Sequence, residues 1–227
     1  SAAPDGHTLL LGATNHTMIP ALYASRIKFD AVRSFTPVCT LATSPTVLVA
    51  GPAMKVDTLQ AFIKQVQAEP GRRTFGSPGP GSQGHFTGER FARATKTKLN
   101  HIPYKGAAPA VTDLLGGQLD SSFATLGSVL TQVQAGKLTA LAVAADKRSA
   151  LLPNVPTFDE AGVRNFRDEA WYGLLAPAGT PRPVLDALEK ASRSFAQAQG
   201  TAVKLRGLGL VARTDCGMYS STAAISF

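Results

Sequence analysis

The residues in this chain whose types and spacing could do chemistry cluster in one stretch, FGSPGPGSQGH, residues 75–85. Glycine, proline and serine are crowded there, ahead of a segment whose apolar spacing predicts an amphipathic helix over 82–97 with Ser82 as its N-cap. A short strand, 73–77, leads into it. A loop between a strand end and a helix N-terminus presents backbone N–H groups and the positive end of the helix dipole, so its simplest chemistry is anion binding.

Sharper motifs fail one by one. Gly79, Gly81 and Gly84 spell G-x-G-x-x-G, but a dinucleotide fold needs an acidic residue about 20 positions on, and the chain there reads LNHIPYKG. Pro80 also stiffens the motif. A phosphate loop needs Gly-Lys-Ser/Thr, whereas Gly81 and Ser82 are followed by Gln83. No G-x-S-x-G occurs. His85 could serve as a base toward Ser82; the same i, i+3 spacing also suits a ring that packs the first helical turn. His7, His16, His85 and His101 show no metal-ligand spacing. What is left is non-covalent capture of a carboxylate by the hydroxyls of Ser77 and Ser82 and the amides of Gly79, Gly81, Ser82 and Gly84.

Two further loops belong to this reading. GATNHT (12–17) follows a strand and carries Thr14, Asn15, His16 and Thr17; these residues equally suit a turn with a capping Thr or Asn. PYKGAAP (103–109) offers the Tyr104 hydroxyl and Lys105, the latter also readable as a solvated surface charge.

The elements that must position these loops alternate. Strands are expected at 7–13, 38–43, 46–51, 73–77, 99–104, 121–125 and 138–145, with an extended run at 170–177. Helices are expected at 59–71, 82–97, 109–117, 128–137 and 181–199. The alternation implies βαβ units, a mainly parallel sheet and an α/β fold.

Composition sets limits. The chain has 227 residues, 44% of them apolar and 17% charged, enough for one large domain or two small lobes. No apolar run reaches the ~18 residues of a membrane span. The net charge of +8 favours anionic partners. Basic residues are scattered and aromatics are only 7%, so a nucleic-acid surface is weakly supported. Cys39 lies in PVCTLAT and reads as a small core residue; Cys39 and Cys216 together define neither a disulfide framework nor a redox compartment. The opening SAAPDGHTLLLG is almost a strand already, so a preceding segment is expected.

In order along the chain, APDGHTLLLG, FTPVCTLATSPTVLV, FGSPGPGSQGH, IPYKGAAPAVTDLLGGQLD, AGKLTALAVAADKRSALLPNVPTFDEAG and WYGLLAPAGTPRPV resemble the periplasmic solute receptors of the tripartite tricarboxylate transporter system, the Bug receptors. The resemblance covers about residues 3–213. It implies a two-lobed periplasmic-binding-protein (Venus-flytrap) fold, with residues 1–47 and 173–227 forming an incomplete first lobe and residues 48–172 the second. It also implies a monomer that captures a small organic anion, without catalysis or cofactor, for membrane transporter subunits.

Carried over by motif, the ligand site would comprise Thr14, Asn15 and Thr17 from one lobe. Ser77, Gly79, Gly81, Ser82, His85, Tyr104, Ala124 and Thr125 would come from the other. Three departures stand out. The family's first strand, loop and helix are not seen. Ala124 replaces an Asp tied to ligands with an amino group, which points to plain carboxylates. The tail TDCGMYSSTAAISF does not resemble the family's closing helix. The rival readings are a regulator's effector domain, for which no DNA-binding helix-turn-helix is seen, an enzyme using Ser82 and His85, and a non-functional remnant.

Overall fold

The computed structural model describes residues 2–216. In chain order the elements are β1 (Leu10–Ala13), α1 (Asn15–Tyr23), β2 (Phe35–Ala50), α2 (Leu59–Ala68), β3 (Thr74–Ser77), α3 (Gln83–Thr95), β4 (Asn100–Pro103) and α4 (Ala107–Leu115). There follow β5 (Ser121–Thr125), α5 (Leu126–Gln134), β6 (Thr139–Val143), β7 (Glu169–Pro177), α6 (Arg182–Gln197), α7 (Gln199–Gly207) and β8 (Val211–Cys216). Two compact units emerge: residues 44–170, and the residues on either side of them. The chain passes from one to the other within β2 and again at the start of β7.

In unit 44–170 the strand order is β6-β2-β5-β3-β4. The run VLVA of β2, residues 47–50, is apolar at every step because both of its faces are covered. Leu48 and Ala50 enter one cluster with Phe62, Phe75, Phe91, Phe123 and Phe158. Val47 and Val49 enter a second with Leu114, Leu126, Val129 and Leu138. This is the period-two alternation of a strand applied to two cores at once. Helix α3 lies close against this sheet. Its buried face is Gly84, Thr87, Gly88 and Phe91, at the i, i+3, i+4, i+7 spacing of one helical stripe. A Cβ at Gly84 would stand 2.2 Å from the Phe123 carbonyl oxygen, so only glycine permits this approach.

The other unit pairs β1 with β7 (Leu10 opposite Leu175) and β2 with β8 (Thr43 opposite Val211), both antiparallel. Its core cluster is Val38, Cys39, Ala176, Leu185 and Cys216.

Three expectations need correction. The sheet is not mainly parallel: among the described residues β3–β4 and β3–β5 run parallel, while β1–β7, β2–β5, β2–β6 and β2–β8 are antiparallel. The reason is that β2 runs antiparallel to β5, β6 and β8. The two strands expected at 38–43 and 46–51 are one, β2. Its ladder partner changes from β8, ending at Thr43, to β5, starting at Thr46, so Pro45 falls where no ladder N–H is used. Finally, Cys39 and Cys216 form a disulfide across facing positions of β2 and β8. Most of the divergent tail, from 217 on, lies outside the described residues; Val211–Cys216 is strand β8.

Candidate functional site

Parallel strands β3, β4 and β5 each end on a helix start: α3 begins at Gln83, α4 at Ala107 and α5 at Leu126. None of the three helices has an acidic residue in its first turn. Three positive dipole ends with no acidic residue in their own first turns therefore follow the carboxyl ends of the parallel strands, where α/β folds take up ligands.

The glycine loop between β3 and α3 is held by its own hydrogen bonds. Ser77 is fully buried, and its Oγ accepts from Gly79 N–H at 3.2 Å and lies 2.7 Å from His101 Nε2. Gly81 has φ +75°, a conformation that favours glycine, and its N–H donates to His85 Nδ1 at 3.2 Å. Ser82 caps α3: its Oγ accepts from His85 N–H at 3.4 Å and donates to the Gly79 carbonyl at 2.7 Å, while its N–H donates to the same carbonyl at 3.1 Å.

Three of the four amides expected to face an anion, those of Gly79, Gly81 and Ser82, are thus engaged within the loop. The N–H groups of Gln83 and Gly84 come before the first that the helix, or Ser82, satisfies. The Ser82 hydroxyl points its proton at a carbonyl and bonds the His85 backbone, so the structure assembles no Ser–His pair between these two side chains. The His85 ring stacks on His101 at 4.1 Å, and His101 stacks in turn on Phe75 at 4.8 Å. Burial, and then the neighbouring His85, push the His101 pKa down to about 4.

Tyr104 adjoins this loop, its N–H bonded to the Ser77 carbonyl at 2.9 Å. Its hydroxyl donates to Asp113 Oδ2 at 2.7 Å, so that proton is already committed; burial, and then Asp113, raise its pKa to about 12. Lys105 is exposed. Ala124 is buried in the second core cluster, and Thr125, opposite Thr46, opens α5.

In the other unit Thr14 and Thr17 are bound locally. Thr17 Oγ donates to the Thr14 carbonyl at 2.7 Å, and Thr14 Oγ accepts from Trp171 N–H at 2.9 Å. Asn15 is exposed and His16 is buried, its Nε2 2.7 Å from the Ala31 carbonyl. The segment expected to be a loop, 12–17, is thus the end of β1 and the first turn of α1.

Sequence reasoning missed His101 and Asp168. Asp168 accepts hydrogen bonds from Gln83 Nε2 (2.5 Å), from the Thr87 hydroxyl and from the Thr46 hydroxyl (3.3 Å), with Arg90 4.0 Å away. Burial raises its pKa, against the lowering pull of Thr87, Arg90, Thr46 and Gln83. Nothing near Asp168 in the sequence signals this, because its partners lie about 80 to 120 positions away. Among the described residues no group of three or more His, Cys, Asp or Glu could hold a metal ion. No described helix is long and apolar enough to cross a membrane.

Solved structures align over nearly the whole chain. MatC from Rhodopseudomonas palustris with bound malate matches with a TM-score of 0.83 and 31% identity, over 92% of this chain and 71% of that one. An R. palustris protein with adipate matches with a TM-score of 0.87 and 29% identity, over 93% and 71%. The periplasmic binding protein BugD matches with a TM-score of 0.84 and 31% identity, over 94% and 71%. The fold is therefore that of the periplasmic binding proteins.

Among sequence relatives, protein BugT of Bordetella pertussis is 36% identical over 190 residues, 83% of this chain and 58% of BugT. A protein from the tcbD-tcbE intergenic region of Pseudomonas sp. is 32% identical over 92% of this chain and 62% of its own length. The chain thus spans about three fifths of the curated relatives it matches. The model of the tripartite tricarboxylate transporter family receptors matches residues 1–212, and the chain belongs to that family.

Proposed function

We propose that this chain is the body of a periplasmic solute receptor that captures a small organic mono- or dicarboxylate and presents it to a tripartite tricarboxylate-type membrane transporter. The observation that carries the reading is the N-terminus of α3: a glycine turn at the end of a parallel strand, capped by Ser82, with the Gln83 and Gly84 amides beyond the reach of helical bonding. Oriented N–H groups and the helix dipole hold a carboxylate without a fixed cation. That arrangement gives moderate affinity and allows release to a transporter. The relatives crystallised with adipate and malate support the ligand class.

Within this reading Ser77, Gly79, Gly81, Ser82 and His85 shape the site of unit 44–170, while Thr14, Asn15 and Thr17 lie in the other unit. Tyr104 contributes as a wall rather than as a donor, since its hydroxyl already donates to Asp113. Ala124 offers no charge for an amino group, which favours plain carboxylates over amino acids. In this reading the protein is a monomer that performs no chemistry; the lack of a side-chain bond between Ser82 and His85 speaks against the enzymatic rival built on that pair. The +8 net charge speeds capture of anions, an effect that fades with added salt.

The test is calorimetry with adipate, malate, nicotinate and terephthalate. Saturable binding of at least one acid is expected. Ser82→Ala is expected to weaken it about fivefold and to cost about 1 kcal/mol of stability through the lost cap. Gly84→Ala is expected to abolish binding by forcing α3 off the Phe123 carbonyl. No heat with any acid would refute the reading.

A further inference from the structure

We infer that Asp168 is a positioning residue for the anion site at the N-terminus of α3, and that its carboxylate, while orienting that turn, holds the affinity down by like-charge repulsion. The inference rests on the proposed carboxylate site.

Asp168 is fixed from the sheet side. Its carbonyl accepts from Thr46 N–H at 3.0 Å and its N–H donates to the Ala144 carbonyl at 2.9 Å, so its backbone is pinned on both flanks. The side chain is only 12% exposed and reaches α3 at two points of one face: Gln83, the first helical residue, and Thr87, one turn on. Thr46 and Thr87 are fully buried. A carboxylate on a rigid mount, bonded to the first and second turns of a helix, fixes the rotation and tilt of that helix start. The Gln83 and Gly84 amides take their direction from it. Gln83 shows how strongly this contact is favoured: its Oε1 is buried with no hydrogen-bond partner, while its Nε2 stays on Asp168.

The charge works against the ligand. The charged group facing Asp168 is Arg90 of α3, 4.0 Å away, 37% exposed and also bonded to the Arg167 carbonyl at 3.1 Å. The other facing groups, Gln83, Thr87 and Thr46, are neutral. A carboxylate beside the first turn of α3 draws on the same dipole that a bound anion would use. The site therefore obtains its geometry from a group that lowers its affinity, which suits a receptor that must release.

Asparagine separates the two roles. In Asp168→Asn the remaining oxygen still accepts from Gln83 Nε2. The new amide faces the Thr87 hydroxyl, which can turn its proton from the carboxylate to the Gln83 carbonyl, 2.9 Å away, and accept in its place. Geometry is kept and charge is lost. Asp168→Ala loses both.

The experiment measures adipate and malate binding by calorimetry at low salt, and amide hydrogen exchange across residues 85–87 without ligand. Asp168→Asn is expected to keep the exchange protection and to bind about three- to tenfold tighter. Asp168→Ala is expected to lose protection at these amides and to bind more weakly. Unchanged or weaker binding by Asp168→Asn would overturn the charge role, and unchanged protection in Asp168→Ala would overturn the positioning role. If neither acid binds the unsubstituted chain, the carboxylate reading fails, and with it the charge role. The exchange arm then decides the positioning role alone.

Discussion

The two units keep their structure by different means. Unit 44–170 buries two apolar clusters, and among its fully covered side chains are Phe62, Phe75, Phe91, Phe123 and Phe158. Each such ring contributes on the order of 2–3 kcal/mol by burial. Among the described residues, the unit outside 44–170 has one small cluster, and two of its members are the cysteines of the disulfide. Leu11, Leu22, Val203, Leu208 and Val211 of that unit are more than half exposed. One unit is held by area removed from water, the other by a covalent tie across β2 and β8. The fold can therefore be weakened in one unit at a time.

The largest expected effect is on the tie. Cys39 and Cys216 are 177 positions apart, but unit 44–170 lies inside that loop, and the comparison requires it to stay folded when the other unit opens. The entropy that matters is that of a loop of roughly 50 residues, or about 4 kcal/mol on the chain-entropy account. Cys39→Ser, or reduction, is expected to cost that much. The loss should appear as faster amide exchange at 38–43 and 211–216 with little change at 121–125. Equal losses in both regions would end the comparison.

A smaller effect is expected from the opposite side. Phe91 touches Phe62, Phe123, Phe158 and Phe166, with ring centroids 5.3–6.1 Å apart. Phe91→Leu keeps an apolar group of similar size and should cost about 1 kcal/mol, confined to unit 44–170. Denaturant unfolding followed by exchange at 74–77 and 121–125 checks it. A cost above that of breaking the disulfide would reverse the ranking of the two units.

The same contrast governs what the sequence showed. Local signals were legible: Ser82 marked the start of α3, the pattern SSFAT marked β5, and FGSPGPGSQGH marked the turn that α3 opens from. These depend on neighbours within a few positions. Long-range features were not legible. The disulfide joins residues 177 apart, and the sheet's antiparallel character depends on β2 reaching β5, β6 and β8. Asp168 looks like a surface charge between Arg167 and Glu169 until Thr46, Gln83 and Thr87 are brought to it by the fold. Helix α1 was missed because Pro20 lies inside it and its apolar residues mark no clear face. Of the candidate site, the glycine loop could be read, but not the engagement of its amides by Ser77, His85 and the Gly79 carbonyl.

The smallest expected effect concerns that engaged loop and distinguishes the units by pH. His101 sits between Phe75 and His85 with Nε2 on Ser77, and burial together with His85 lowers its pKa from 6.5 to about 4. Between those values the unfolded chain binds more protons at this residue than the folded one. Its contribution is therefore complete above pH 6.5 and is lost as pH falls toward 4. The ring is partly open to solvent, which limits the effect to about 1 kcal/mol at most, or a Tm drop of about 2–4 °C. His101→Gln places an uncharged nitrogen near the position of Nε2 and can keep the Ser77 bond. Melting curves of the two proteins from pH 7 to pH 4 should diverge, the unsubstituted chain falling further, with the difference confined to amides of unit 44–170. Parallel curves would mean that the imidazole stack under the glycine loop carries no proton-linked stability. The loop would then be set by Ser77, Ser82 and Asp168 alone.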